Sequence, residues 1–169
     1  RKSLLGEILS RTTQMPVREV EEGIAPEPNP VYIIPPNTKL LLQSGALRLL
    51  PREKIFGKYM PADAFFESLA VDRGNKAIAV VLSGADGDGA LGLMAIKAAG
   101  GVTFAQCEAS AKFDSMPTTA VATGSVDFIL QPEAIARELQ NLSPPPFLVR
   151  PLPVTPREDS HKPGSDLGP

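Results

Sequence analysis

The sequence has no tryptophan, one cysteine and one histidine among its 169 residues, and each scarcity removes a class of protein. A single Cys107 cannot form an internal disulfide, so a packed core must hold the fold, and such cysteine usage fits a reducing compartment such as the bacterial cytoplasm. Structural zinc takes four Cys or His ligands; this chain offers only Cys107 and His161, and no metal site is expected. Charge of one sign is not in excess either. Against 17 Lys and Arg stand 19 Asp and Glu, without the basic surplus that nucleic-acid binding needs. Apolar runs are broken by Gly, Pro or charge before the roughly 18 residues of a membrane span, so no membrane insertion is expected. What is present is ordinary globular composition, 43% hydrophobic and 21% charged, in a length suited to one domain with a core plus a tail. The chain starts at Arg1 with neither an initiator Met nor a signal-peptide pattern, and is expected to be an excerpt of something longer.

Periodicity organises the rest. "KSLLGEILSRTTQ" sets Leu4, Leu5, Ile8 and Leu9 on one face of a helix that Pro16 follows. From Val17 to Leu50 the chain is β-rich: "VREVEE" alternates, "VYII" and "KLLLQ" are short strands joined by a tight turn at "PPNT", and "QSGALRLL" closes a hairpin through Ser44 and Gly45. A helix follows in "PADAFFESLAVDRG", with Pro61 in its first turn and Gly74 as its stop. Its Phe65 and Phe66 are read as core rather than as a substrate platform. "AIAVVLS" is a solid apolar run, as expected of a strand covered on both faces. The helix "ALGLMAIKAAGG", the strand "VTFAQ", a short helical piece after Met116-Pro117, the strand "VDFILQ" and the helix "PEAIARELQNL" then alternate. Such alternation predicts an α/β fold, a three-layer, mostly parallel doubly wound sheet with an added antiparallel β-hairpin. Residues 1–142 form the domain, and the Pro-rich stretch 143–169 is expected to be a disordered linker.

The chemistry centres on "SGADGDGALG", residues 83–92, between the strand and the helix. Gly87, Gly89 and Gly92 have the G-x-G-x-x-G spacing of a dinucleotide-binding turn, and Glu108 lies about 20 residues beyond, where an acid could bind a ribose. Against NAD stand Asp88, a like charge beside any pyrophosphate, and the late arrival of Gly87 after the strand. An EF-hand calcium loop from Asp86 would need Gly near Leu91 and Glu near Lys97, and has neither. A plainer reading makes Asp86 or Asp88 the cap of the helix that follows. The remaining reading is catalytic, because active sites of open parallel sheets lie outside the carboxyl ends of strands, and an Asp there could orient a histidine that activates a serine.

"KAIAVVLSGADGDGALGLMAIKAAGG", together with "TFAQCEASAKFDSMPTTAVATGSVDFILQPEAIAREL" and the β-rich "PVREVEEGIAPEPNPVYIIPPNTKLLLQSGALRLLPR", resembles the chemotaxis receptor methylesterase (CheB) family over nearly all of residues 1 to 142. The "IPPN" and "LRLLPR" details are most similar to the subgroup fused to the matching methyltransferase, and the Pro-rich tail would lead toward that partner.

The resemblance implies hydrolysis of γ-glutamyl methyl esters, and deamidation of particular glutamines, on chemoreceptors, by a cytoplasmic enzyme without cofactors, to which a regulatory domain is often attached. It places the acid of a Ser-His-Asp triad at Asp88, in a loop of Gly84, Ala85, Asp86, Gly87 and Gly89, with Met116 and Pro117 near the active-site rim. The family's Ser and His would precede Arg1, in a strand-helix-strand unit of at least about 30 residues, so this chain alone is expected to be inactive, with unpaired strand edges and exposed apolar surface. Pro30 and Tyr59 stand where the family commonly carries His, and Thr118 where it carries Arg, which leaves open a non-catalytic regulatory domain derived from the esterase. Cys107 is read as a small residue at a strand end rather than as a nucleophile.

Overall fold

The computed structural model describes residues 4–142; the Pro-rich stretch and His161 lie outside them. Helix α1 (Leu4–Thr12) forms where the apolar spacing predicts it, but that face is largely uncovered, with Leu4, Leu5 and Ile8 exposed. The helix packs mainly on β1 (Val17–Glu19), which pairs in parallel with β2 (Val31–Ile33). The expectation of a turn-linked pair at "PPNT" is corrected by this pairing: β2 turns to β1, and β3 (Thr38–Gln43) pairs antiparallel with β4 (Ala46–Pro51). The β3–β4 turn places Ser44 and Gly45 both at positive φ, as a tight two-residue hairpin requires.

Helix α2 (Pro61–Arg73) starts on a proline, whose missing N–H is no loss in a first turn, and ends at Gly74. It packs on the hairpin with Phe65 and on the main core with Phe66, while Leu69 reaches both, and all three are partly buried there. The main sheet then runs β5 (Ile78–Val81), β6 (Val102–Gln106) and β7 (Phe128–Leu130), all parallel and adjacent in that order. Helix α3 (Ala90–Ala98) crosses from β5 to β6, α4 (Ser115–Ala122) from β6 to β7, and α5 (Pro132–Leu142) packs on β6 and β7.

Leu93, Ile96, Phe104 and Ala105 are fully buried, and Phe104 stacks on Phe128 with ring centroids 4.9 Å apart. The main core joins Leu93 and Ile96 of α3 to Ala79 and Val81 of β5 and Ala120 of α4. A second cluster under the hairpin gathers Val20, Leu40, Leu42 and Leu47. The run "AIAVVLS" is not covered on both faces: Ala79 and Val81 are buried, whereas Ile78 is 38% and Leu82 48% exposed. Among the described residues β5 has one strand partner, β6, so its other edge is open.

Candidate active site

The loop after β5 leaves the carboxyl end of a parallel strand and is tied down on both sides. The Ser83 amide donates to Gln106 Oε1 at 2.8 Å and the Gly84 amide to the Phe113 carbonyl at 2.9 Å. The Gly84 carbonyl in turn accepts from the Met116 amide at 3.1 Å and the Ser115 hydroxyl at 3.2 Å. A Cβ on Gly84 would lie 2.3 Å from Met116 Sδ, so any larger residue there would have to push the Met116 side chain aside. Met116 is thus brought onto the loop, whereas Pro117 is fully buried in the first turn of α4. Asp86 is exposed with φ of 70°, and Gly89 turns the chain into α3 with φ of 95°. Among the described residues the amides of Ala85, Asp86 and Gly87 make no hydrogen bond.

Asp88 is 8% exposed, and its carboxylate is bonded to α2 rather than to the helix that follows it. Oδ2 accepts from the Ala62 amide and Oδ1 from the Asp63 amide, each at 2.9 Å. These are first-turn amides of α2, donors that no helix satisfies internally, and the N-cap Met60 offers no side-chain acceptor for them. The plain reading of Asp88 as cap of the following helix is therefore corrected: it caps α2, where two N–H bonds and the positive helix end hold a carboxylate. A carboxylate has about four lone-pair positions, and these amides use two of them, so capacity remains for a further donor.

Helix α3 has the reverse arrangement. Its N-cap, Gly89, has no side chain, and the Gly92 amide donates instead to Asp63 Oδ1 of α2 at 2.7 Å. The start of α2 is thus capped by a carboxyl from the loop leading into α3, and the start of α3 by a carboxyl of α2. Asp63 is 5% exposed, and its Oδ2 is buried without a hydrogen-bond partner among the described residues. Burial pushes its pKa above the ordinary carboxylate value, opposed by the Gly92 hydrogen bond and reinforced by the nearby Asp88 charge. Asp63 is the residue that the sequence reading missed. The available signal was an acid two positions after a helix-starting proline, a pattern that dipole stabilisation alone accounts for.

Two hollows adjoin this joint. One, of about 720 Å³, lies between α2 and the loop 55–60 and is walled by Phe56, Met60, Asp63 and Leu91. The other, of about 690 Å³, is apolar and lies between the inward face of the hairpin, Tyr32 and Ile34, and Phe65, Phe66 and Leu69 of α2. Glu108 opens a short 3₁₀ turn after β6 and is exposed, and half-buried Cys107 places its Sγ 3.2 Å from the Ser110 hydroxyl. Tyr59 lies beneath the Arg52 guanidinium, 4.0 Å from it, and Thr118 is exposed on α4. Among the described residues no cluster of His, Cys, Asp and Glu could hold a metal, and no helix is long and apolar enough to cross a membrane.

Residues 1–139 match the family described as CheB methylesterase. An uncharacterized 104.1 kDa protein in the hypE 3' region of Rhodobacter capsulatus is 44% identical over 131 residues, 78% of this chain and 14% of that protein. The protein-glutamate methylesterase/protein-glutamine glutaminase 2 of Burkholderia lata is 37% identical over 136 residues, 80% of this chain and 40% of that protein. This chain therefore spans well under half the length of either relative. The crystal structure of the Thermotoga maritima CheB methylesterase catalytic domain superposes with a TM-score of 0.76 at 30% identity, covering 82% of this chain and 76% of that one. That likeness carries the fold, the mostly parallel sheet with its antiparallel pair, and with the family match it displaces the dinucleotide reading of the glycine spacing. The chain belongs to the CheB methylesterase family.

Proposed function

We propose that residues 1–142 are the larger part of a protein-glutamate methylesterase domain in which Asp88 is the acid of a Ser-His-Asp triad. The observation that carries this reading is the Asp88 carboxylate itself, buried at the carboxyl end of β5, fixed by two α2 amides and with lone pairs to spare. An imidazole N–H presented to it would be held in one tautomer and orientation, which is what the triad acid does.

The serine and the imidazole come, on this reading, from a preceding strand-helix-strand unit seated between the β1–β2 pair and β5. Three features support that place: the open edge of β5, the exposed Ile78 and Leu82 beside it, and the apolar hollow under α2. Chemically, the serine oxygen attacks the γ-carbonyl of a glutamyl methyl ester while the imidazole takes its proton. The tetrahedral oxyanion collapses with loss of methanol, which receives that proton, and water then hydrolyses the acyl-enzyme by the same route. The amides of Ala85, Asp86 and Gly87 are free to stabilise the oxyanion. Deamidation of glutamine follows the same path with ammonia leaving, in keeping with the relative's double name.

The substrate is then a methylated chemoreceptor, and a methyltransferase and a phosphorylation-controlled domain are partners in the same chain or beside it, in the cytoplasm. The test is methanol release from methylated receptor by the full-length protein. Release that stops when the nucleophilic serine is changed to alanine supports the proposal. Receptor binding without any release would instead favour a non-catalytic domain.

A further inference from the structure

Asp88 is held by α2, and α2, which packs on α3 through the main apolar core, is also tied to it by Asp63. The links form a short circuit: the Asp63 amide donates to Asp88 Oδ1 at 2.9 Å, and the Asp63 side chain accepts from the Gly92 amide at 2.7 Å. Gly92 is only four residues beyond Asp88 on the same turn into α3. One residue therefore binds the acid through its main chain and the helix that follows that acid through its side chain. We infer that Asp63 is a positioning residue for the ester hydrolysis, fixing where the Asp88 carboxylate meets the imidazole; this rests on the reading of Asp88 as the triad acid.

Two further observations favour positioning over a mere cap. The helices approach so closely at this point that a Cβ on Gly92 would lie 3.1 Å from Asp63 Cα, so a small shift of the Asp63 backbone is felt at once by α3. Asp63 is also a poor choice for capping alone. It is 5% exposed, its Oδ2 is buried without a partner among the described residues, and it stands beside a second carboxylate. The Asp63 side chain fixes registry between two helices that carry one site, and a displacement near 1 Å of a catalytic group can cost about 10²-fold in rate.

The experiment is steady-state methanol release by the full-length protein carrying Asp63→Ala, Asp63→Asn or Asp88→Asn, measured well below each variant's melting temperature. Asp63→Ala is expected to lower kcat about 10²-fold with KM changed less than about threefold. Asp63→Asn keeps an acceptor for Gly92 and is expected to restore kcat to within about fivefold of the parent. A structural cap would lower the melting temperature without this split between kcat and KM. Asp63→Ala with parental kcat, or Asp63→Asn as impaired as Asp63→Ala, overturns the assignment. If Asp63→Ala does not fold, Asp63→Glu takes its place. That substitution moves the acceptor by one methylene, and equal activity of Glu and Asn variants overturns the assignment. Asp88→Asn separates the two layers: its inactivity beside a fully active Asp63→Ala removes only the role of Asp63, whereas a fully active Asp88→Asn removes both.

Discussion

Gly92→Ala should destabilise the protein although helix propensity points the other way. Gly92 is the third residue of α3, where Ala is favoured over Gly by roughly 0.5–1 kcal/mol. The new Cβ would stand 2.6 Å from Phe66 Cβ and 3.1 Å from Asp63 Cα, and neither atom can move without its backbone. Relieving contacts that close forces α3 away from α2, an overpacking cost of about 1–3 kcal/mol. The same movement stretches the 2.7 Å Gly92–Asp63 hydrogen bond and leaves a second buried carboxyl oxygen unsatisfied, at about 1–3 kcal/mol. Since both costs exceed the propensity gain, the expected net loss is about 2–4 kcal/mol, or on the order of 6–12 °C in melting temperature for a domain of this size. Thermal melting and urea unfolding of the full-length protein measure it. Gly6→Ala is the control, because its Cβ would meet only Ile33 Cδ1 at an ordinary 3.6 Å, and it should be neutral or stabilising by up to about 1 kcal/mol. A Gly92→Ala protein as stable as its parent would refute the close-approach argument.

Asp63, whose folded-state pKa is raised, contributes stability fully below its unfolded value near 3.8 and loses it as pH rises through the folded value, so Asp63→Asn should flatten the decline in stability just above pH 3.8. Asp127 has the opposite sign. Burial raises its pKa, but the hydrogen bonds from Lys97 and the Thr103 amide, with the Lys97 charge, outweigh burial and lower it. Its contribution is present above the unfolded value near 3.8 and is lost as pH falls through the folded value, so Asp127→Asn should flatten the acid limb of urea midpoints against pH. Gly84→Ala should displace Met116, whose Sδ would lie 2.3 Å from the new methyl, and lower kcat; shortening the obstacle with Met116→Ala should recover part of the loss, and strict additivity in the double-mutant cycle would count against this contact.

The alternation from β5 to α5 was legible because each element has its own period and its own stop, as "AIAVVLS" followed by a glycine loop illustrates. Strand partners were not. Nothing local in "VREVEE" or "VYII" states that Val17 aligns in parallel with Val31, since pairing across an intervening loop is decided by what else the strands cover. The same holds for Leu4 and Ile8: their spacing specifies a helix face but not whether a neighbour covers it. At the site, residue type and loop position singled out Asp88, while its real partners, the Ala62 and Asp63 amides, stand more than 20 residues earlier in the chain. Asp63 escaped notice for the same reason, because its acceptor role depends on how closely α3 approaches α2, a distance that Gly92 sets and no periodicity reveals.

The central claim is that the Asp88 carboxylate orients a catalytic imidazole, and Asp88→Asn in the full-length protein tests it most directly. Asparagine keeps the size of the side chain and one amide acceptor while removing the charge that stabilises an imidazolium. Methanol release from methylated receptor should fall by about 10⁴-fold in kcat, with the melting temperature lowered by only a few degrees. A folded Asp88→Asn protein that turns over within severalfold of its parent would contradict the account.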